Sequence, residues 1–233
     1  MLKVVAAMVA AVLCAACASH SRTTLPKPVI KRIALIPATN PKTYTLYNAT
    51  PPIGYPFQFW VNKADSGNKE QFLNDQLRVH PLNLAGELTD EVAANLRNDG
   101  YTVEILDGVK RPADEPDNVD YDKIVTDADV IVHLWITEVG LYSSHTSAYY
   151  VPRVNAAGTM FVKGRDDSIL SEDVYYGVDA RKGKSWAIAP DPKFSYRYFD
   201  DVIARLDEVR DSFEIGAREV GKKLSEHIND AAK

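Results

Sequence analysis

The strongest pattern in the chain is a run of apolar residues at steps of three and four near its C-terminal end. The run extends from Phe199 to Ile228, and charged residues occupy the opposite side of the helical repeat. This spacing is typical of a helix that packs one face across a sheet. We therefore predict a single long helix over about residues 200–228.

A second helix is predicted to begin at Pro81, because proline suits a first helical position. Its apolar residues recur every four positions, and Gly100 is placed to end it. These apolar residues are Leu84, Leu88, Val92 and Leu96. Residues 29–36 before this helix and 101–106 after it both have strand patterns. Together the three segments predict a β-α-β unit with two parallel strands.

Three further strands are predicted downstream. In the first half of residues 129–139, the side chains on both faces of the predicted strand are apolar. This pattern is typical of a central strand that is covered on both faces. Residues 154–163 and 169–178 follow as an antiparallel pair joined by a hairpin at Gly164. Shorter helical segments are predicted over 68–77 and 121–126. The order predicts an α/β fold: a two-layer or three-layer sandwich with a mixed sheet of about five strands and a long C-terminal helix.

Residues 38–67 interrupt this order with prolines and glycines, which predicts an irregular insertion. The insertion is rich in aromatic residues, and a long aromatic loop in a compact domain is usually functional. Six of them form a possible interaction surface: Tyr44, Tyr47, Tyr55, Phe57, Phe59 and Trp60. Tyr142, Tyr149 and Tyr150 could extend it. The alternative is that these rings only cover a sheet edge.

The N-terminus has the pattern of an export signal. Lys3 is followed by an apolar run over 4–13, and small residues precede Cys17. The run is about half of the roughly 20 apolar residues that a membrane-spanning helix needs. Residues 1–16 are therefore predicted to be a signal peptide. Residues 29–233 are predicted to be a single α/β domain.

The segment Leu13-Cys14-Ala15-Ala16-Cys17 resembles a bacterial lipobox, although Cys14 stands where an aliphatic residue is usual. The resemblance implies that Cys17 is lipidated and that residues 17–28 are the lipidated cysteine and its tether. No cysteine follows Cys17, so a disulfide framework is excluded after cleavage. Ala18 and Ser19 lack the aspartate of an inner-membrane retention signal, which favours the outer membrane. The alternative is an ordinary secretory signal with two incidental cysteines.

Composition and short motifs argue against several functions. The net charge of −5 gives no basic surface for nucleic acid. Gly183-Lys184-Ser185 matches the end of a phosphate-binding loop, but Val178 replaces its first glycine and Trp186 to Pro192 cannot form the helix that must follow. Nucleotide binding is therefore not expected, and no cofactor is predicted.

Candidate metal-binding and catalytic residues are few. No two of the five histidines have the spacing of metal ligands on a helix, and His133 on the central strand is expected to be a hydrogen-bonded core residue. His145 lies among serines, but adjacency in sequence does not make a catalytic triad. The acidic run lacks the glycine and terminal glutamate of a calcium loop, which favours a solvated loop. That run contains Asp114, Glu115, Asp117, Asp120 and Asp122.

The order of elements behind a lipobox resembles small α/β domains of outer-membrane assembly lipoproteins, such as the curli-export lipoprotein and the lipoprotein activators of peptidoglycan synthases. The resemblance loosely covers residues 29–228 and includes no residue-specific motif. Together with the aromatic insertion 38–67, it predicts a non-enzymatic, membrane-anchored periplasmic lipoprotein that binds another envelope protein or itself. An oligomeric export or pore component and an envelope hydrolase are the alternatives.

Overall fold

The computed structural model describes most of the chain after the predicted tether. The described residues are 29–48, 56–112, 114–143, 149–165, 167–177 and 186–233, with backbone alone for 56–66. Cys17 and the rest of the predicted signal peptide and tether lie outside the described residues. The same holds for Tyr55, His145 and Gly183–Ser185.

The described residues form one mixed sheet of seven strands. The strands are β1 (Arg32–Ile36), β2 (Thr45–Asn48), β3 (Thr102–Ile105), β4 (Val130–Ser143), β5 (Val151–Val162), β6 (Ser168–Tyr176) and β7 (Ala187–Ile188). Their order across the sheet is β3-β1-β4-β5-β6-β7, and β2 pairs with the far end of β4. Strands β1, β2 and β3 join by parallel pairing, whereas β4, β5 and β6 form an antiparallel meander. The predicted β-α-β unit and meander are therefore confirmed.

Four α-helices accompany the sheet in the described part of the chain. They are α1 (Pro56–Val79), α2 (Leu84–Asn98), α3 (Phe199–Ala204) and α4 (Leu206–Ala232). The side chain of Asn83 caps α2 by accepting a hydrogen bond from the Gly86 N–H at 3.2 Å. Gly100 follows the helix with φ +96°, a conformation that favours glycine at this position. The predicted turn near 121–126 is a 3₁₀ helix over Tyr121–Lys123.

The long C-terminal helix is confirmed, but its predicted continuity at the start is wrong. The chain leaves helical geometry at Arg205, with φ −119° and ψ 39°, so that α3 and α4 are separate. The Arg205 guanidinium donates to the carbonyls of Lys193 and Ser195 and lies over the Tyr196 ring. These contacts hold the break against the segment before α3.

The prediction that residues 38–67 contain no regular element is also wrong. Strand β2 forms there, and helix α1 begins at Pro56. Proline is tolerated at this position because a backbone N–H there would have no partner within the helix. The Asn74 side chain of α1 bonds the N–H and C=O of Tyr44, and the Glu70 carboxylate accepts from the Leu46 N–H at 2.9 Å. Strand β2 is therefore held in place by contacts with helix α1, which follows it in the chain. The local sequence of β2 does not reveal these contacts.

The four described α-helices lie on one face of the sheet, which makes the fold a two-layer sandwich. Buried residues of α2 and α4, such as Leu88, Phe213 and Leu224, share one core with Leu35, Leu134 and other strand residues. The opposite face holds a smaller cluster around Ala34, Ile36 and Ile131, covered by residues 106–128. No helix among the described residues has the length and apolar character to cross a membrane.

Candidate functional site

The candidate site is the part of the sheet that neither the described helices nor residues 106–128 cover. We call it the open face. Its side chains come from β2, β4, β5 and β6 and from the residue before β7: Tyr47, Trp135, Glu138, Tyr142, Arg153, Asn155, Tyr175 and Trp186. Each of the strand residues alternates with a neighbour in the helix-side core, such as Leu46, Leu141, Val154 or Tyr176.

Strand register brings the open-face residues together. Tyr47 of β2 pairs with Tyr142 of β4, and their ring centroids are 5.5 Å apart. Asn155 of β5 lies between Glu138 of β4 and Tyr175 of β6. Trp186 meets the ring of Tyr175 edge-on with centroids 5.3 Å apart. Aromatic pairs therefore lie towards both sides of the open face.

A charged and polar cluster lies between these aromatic pairs. The Arg153 guanidinium is 3.9 Å from the centroid of the Tyr142 ring, within the range of a cation–π contact. The Tyr142 hydroxyl and the Asn155 amide both donate to the Glu138 carboxylate, the latter at 3.1 Å. Burial lowers the pKa of Arg153, and the nearby Glu138 carboxylate partly opposes this shift.

Two polar atoms of this cluster, Arg153 Nε and Asn155 Oδ1, are buried and have no hydrogen-bond partner among the residues that the structure describes. A buried polar group left unpaired costs about 1–3 kcal/mol. Folded proteins tend to accept such costs at functional positions. The cluster thus differs from an ordinary solvated strand surface.

Beyond the open face, at the other end of the strands, the same face of the sheet is covered by residues 106–128. Tyr121 packs on Phe161 with ring centroids 4.7 Å apart, and its hydroxyl is 2.8 Å from Nδ1 of His133. His133 is fully buried, as the sequence predicts for a core histidine. Burial, assisted by the positive charge of Arg111, lowers the pKa of His133 from 6.5 to about 4.

The predicted surface residues have different positions. Tyr47 is 50% exposed and lies on the open face, whereas Tyr44 is buried and stacks on Phe213 of α4. Tyr44 is therefore a core residue. Phe57, Phe59 and Trp60 lie on α1, but their side chains are outside the described part, as is all of Tyr55. Tyr142 and the 45% exposed Tyr149 remain near the surface, whereas Tyr150 is buried.

Sequence reasoning missed Trp135, Arg153, Tyr175 and Trp186. Trp135 and Tyr175 alternate with apolar neighbours along predicted strands, and this alternation was the available signal. Arg153 directly precedes the predicted strand 154–163, and Trp186 lies outside the predicted strands. The acidic run lies in and around the covering segment, and no group of metal-ligating side chains occurs among the residues that the structure describes.

Comparisons with known proteins give no family assignment. No protein-family model matches the chain, and a search of curated proteins finds no match either. Among solved structures, the chain is similar to protein XCC0632 from Xanthomonas campestris, of the family DUF330, with 8% identity, coverage of 90% of this chain and 89% of the other, and TM-score 0.45.

Two further solved structures show weaker likeness. Lipoprotein GNA1162 from Neisseria meningitidis is 15% identical over 62% of this chain and 81% of its own, with TM-score 0.32. Hypothetical protein CT253 from Chlamydia trachomatis is 14% identical over 83% and 98%, with TM-score 0.37. Because all these TM-scores lie below 0.5, the likenesses do not assign a function to this chain.

Proposed function

We propose that this protein is a non-enzymatic, membrane-anchored lipoprotein of the bacterial cell envelope that binds another envelope protein, or a second copy of itself, through the open face. The observation that supports this proposal most is the concentration of Tyr, Trp and Arg side chains on a sheet face that none of the described α-helices covers. These residue types are enriched at protein interfaces and supply most of the binding energy there.

The aromatic segment 38–67 contributes Tyr47 to the same proposed surface. Tyr47 lies on the open face against Tyr142, whereas Tyr44, which is also described, is a core residue. Tyrosine and tryptophan suit such a role because each ring buries a large apolar area while keeping a polar contact. Tyr55, Phe57, Phe59 and Trp60 stand just before and at the start of α1, more than two turns before Phe72, and are proposed as a separate contact rather than as part of the open face.

Site-specific crosslinking in living cells tests the interaction. Photoreactive p-benzoylphenylalanine at position 175 is expected to give a discrete protein adduct, because that ring lies on the open face. The same residue at position 72 is the matched control, since Phe72 is 46% exposed on helix α1, on the other side of the sheet. The adduct mass distinguishes a different protein from a second copy of this chain.

A substitution on the open face should weaken this contact. With the crosslinker at position 175, Tyr47→Ala is expected to reduce the adduct roughly tenfold, as loss of one aromatic anchor does at other interfaces. Phe72→Ala should leave the yield unchanged, and both variants should keep the parent's melting temperature. Equal adducts from positions 72 and 175, or a yield that does not respond to Tyr47→Ala, would contradict the proposal.

The membrane anchor is proposed to be the lipidated Cys17, on the periplasmic side of the outer membrane. One acyl chain binds a bilayer reversibly, whereas two or more hold a protein stably. Residues 17–28 would extend to about 40 Å at roughly 3.5 Å per residue, which leaves the domain free to meet a partner near the bilayer.

Cys17→Ser is therefore expected to abolish labelling by radioactive palmitate and to move the protein out of the detergent-rich phase in a detergent partition assay. Cys14→Ser is the matched control and should leave both measurements unchanged. Palmitate incorporation into the Cys17→Ser variant would exclude this residue as the anchor.

A further inference from the structure

A cleft separate from the open face lies within the segment that covers the smaller cluster. It has a volume of about 810 Å³, which is in the range of small-molecule binding sites. One wall is formed by residues just after β3, and the other by residues around and after the 3₁₀ helix. Leu106, Val109 and Ile124 line the cleft and pack against the cluster of Ala34, Ile36 and Ile131. The floor of the cleft is therefore apolar.

The rim of this cleft is apolar at one point and basic at others. Val125, which is 94% exposed, adds one apolar side chain to the rim. Lys110, Arg111 and Lys123 also line the cleft, and Asp120 is the carboxylate that lies among them. Asp114, Glu115 and Asp117, although close in sequence, line a separate hollow.

The three cations are not equally engaged. Arg111 donates to the carbonyls of Pro37 and Pro116 and lies 3.9 Å from Asp117, so its guanidinium is held in place by the chain itself. Lys123 pairs with Asp120 at 2.6 Å. Lys110 is exposed and makes no ion pair within the described residues. Lys110 is therefore the cation most available to a bound anion.

We propose that this cleft binds a single-chain anionic amphiphile, of the class of long-chain fatty acids. The apolar floor would take the hydrocarbon chain, and Lys110 with Lys123 would bind the carboxylate at the rim. Charge complementarity favours an anion, because the lining has three cations and one carboxylate. The apolar floor disfavours inorganic phosphate or a small sugar acid, which would leave it exposed to water. This binding does not depend on the interaction proposed for the open face.

A photoreactive fatty acid tests the proposal on the full-length protein in phosphatidylcholine vesicles. The probe is a palmitic acid that has a diazirine in its chain and an alkyne for enrichment, and peptide mass spectrometry locates the labelled residues. We expect labelling within residues 106–125. Excess palmitate should compete, whereas hexadecanol and hexadecyltrimethylammonium should not. If phosphatidylglycerol vesicles compete as strongly as palmitate, the ligand is a two-chain lipid and the proposal is overturned.

Variants separate the two parts of the site. Lys110→Ala combined with Lys123→Ala should lower labelling of this segment at least roughly fivefold, because it removes the charges at the rim. Val109→Trp should lower it as much by filling the cleft while the lysines remain. Lys222→Ala, an exposed lysine on α4, is the matched control and should have no effect. Labelling outside 106–125, or labelling that hexadecanol competes equally well, would overturn the proposal.

Discussion

Replacing Gly140 by alanine is expected to destabilise the protein by about 3 kcal/mol, at the upper end of the cost of overpacking. Gly140 of β4 lies opposite Thr45 of β2 in the parallel register. A Cβ at position 140 would be 2.2 Å from the carbonyl oxygen of Thr45. Because that atom belongs to the backbone, it cannot rotate away as a side chain could. The two strands would have to separate.

The effect should extend beyond one contact, because β2 is attached to the core at few points. Leu46 is buried in the helix-side core, and the backbone of Tyr44 is bonded to Asn74 of α1. Separation of β2 from β4 would disturb both. The measurement is urea denaturation followed by circular dichroism, in which the midpoint should fall with little change in slope.

Gly67→Ala provides the matched control for Gly140→Ala. Gly67 lies in α1, and a Cβ there would have no neighbour within 4 Å among the described atoms. Alanine favours a helix over glycine by up to about 1 kcal/mol, so this variant should be as stable as the parent or more so. If the two variants unfolded at the same urea concentration, the close approach of β2 and β4 would be refuted.

The elements that could be predicted from the sequence are those in which buried residues recur at a regular spacing over a long segment. In the C-terminal helix, apolar residues recur at steps of three and four over the 27 residues of α4, and Phe213 and Leu224 are both fully buried. The short strands β2 and β7 have four and two residues, too few for a period to appear. Their existence depends on partners distant in the chain, such as Glu70 for β2. The break at Arg205 likewise depends on contacts to earlier residues.

The candidate site was predicted only in part for a related reason. Aromatic enrichment selects both Tyr47, which lies on the open face, and Tyr44, which is buried. Which face of a strand stays uncovered depends on where all the helices pack, and here the four described α-helices share one side of the sheet. Trp135 and Tyr175 could be placed on one face by alternation, but whether that face is covered is a property of the tertiary structure.

His133 is expected to make the fold sensitive to mild acid. Its pKa is lowered from 6.5 to about 4 in the folded protein, first by burial and second by the charge of Arg111. In the unfolded chain the imidazole takes up a proton near pH 6.5, whereas in the fold it stays neutral until about pH 4. Unfolding therefore takes up a proton in this window, and stability falls as the pH decreases from 6.5 to 4. The lowered pKa corresponds to a loss of about 3 kcal/mol.

His133→Asn isolates this contribution, because asparagine does not titrate and can keep a hydrogen bond to the Tyr121 hydroxyl. At pH 7 the variant should be less stable than the parent, since it loses ring contacts with Tyr121 and Trp135. This difference in free energy of unfolding should shift by about 3 kcal/mol in favour of the variant between pH 7 and pH 4.

Tyr121→Phe is the control for the acid sensitivity of His133. It removes the hydroxyl but keeps the ring on Phe161, so the imidazole stays buried beside Arg111 and the acid sensitivity should persist. Urea denaturation at several pH values measures all three proteins. If the parent and the His133→Asn variant lose stability in parallel down to pH 4, this imidazole is not held neutral by its burial. The acid sensitivity would then come from carboxylates such as Asp129, whose pKa is lowered by hydrogen bonds from the backbone N–H groups of Lys31 and Arg32.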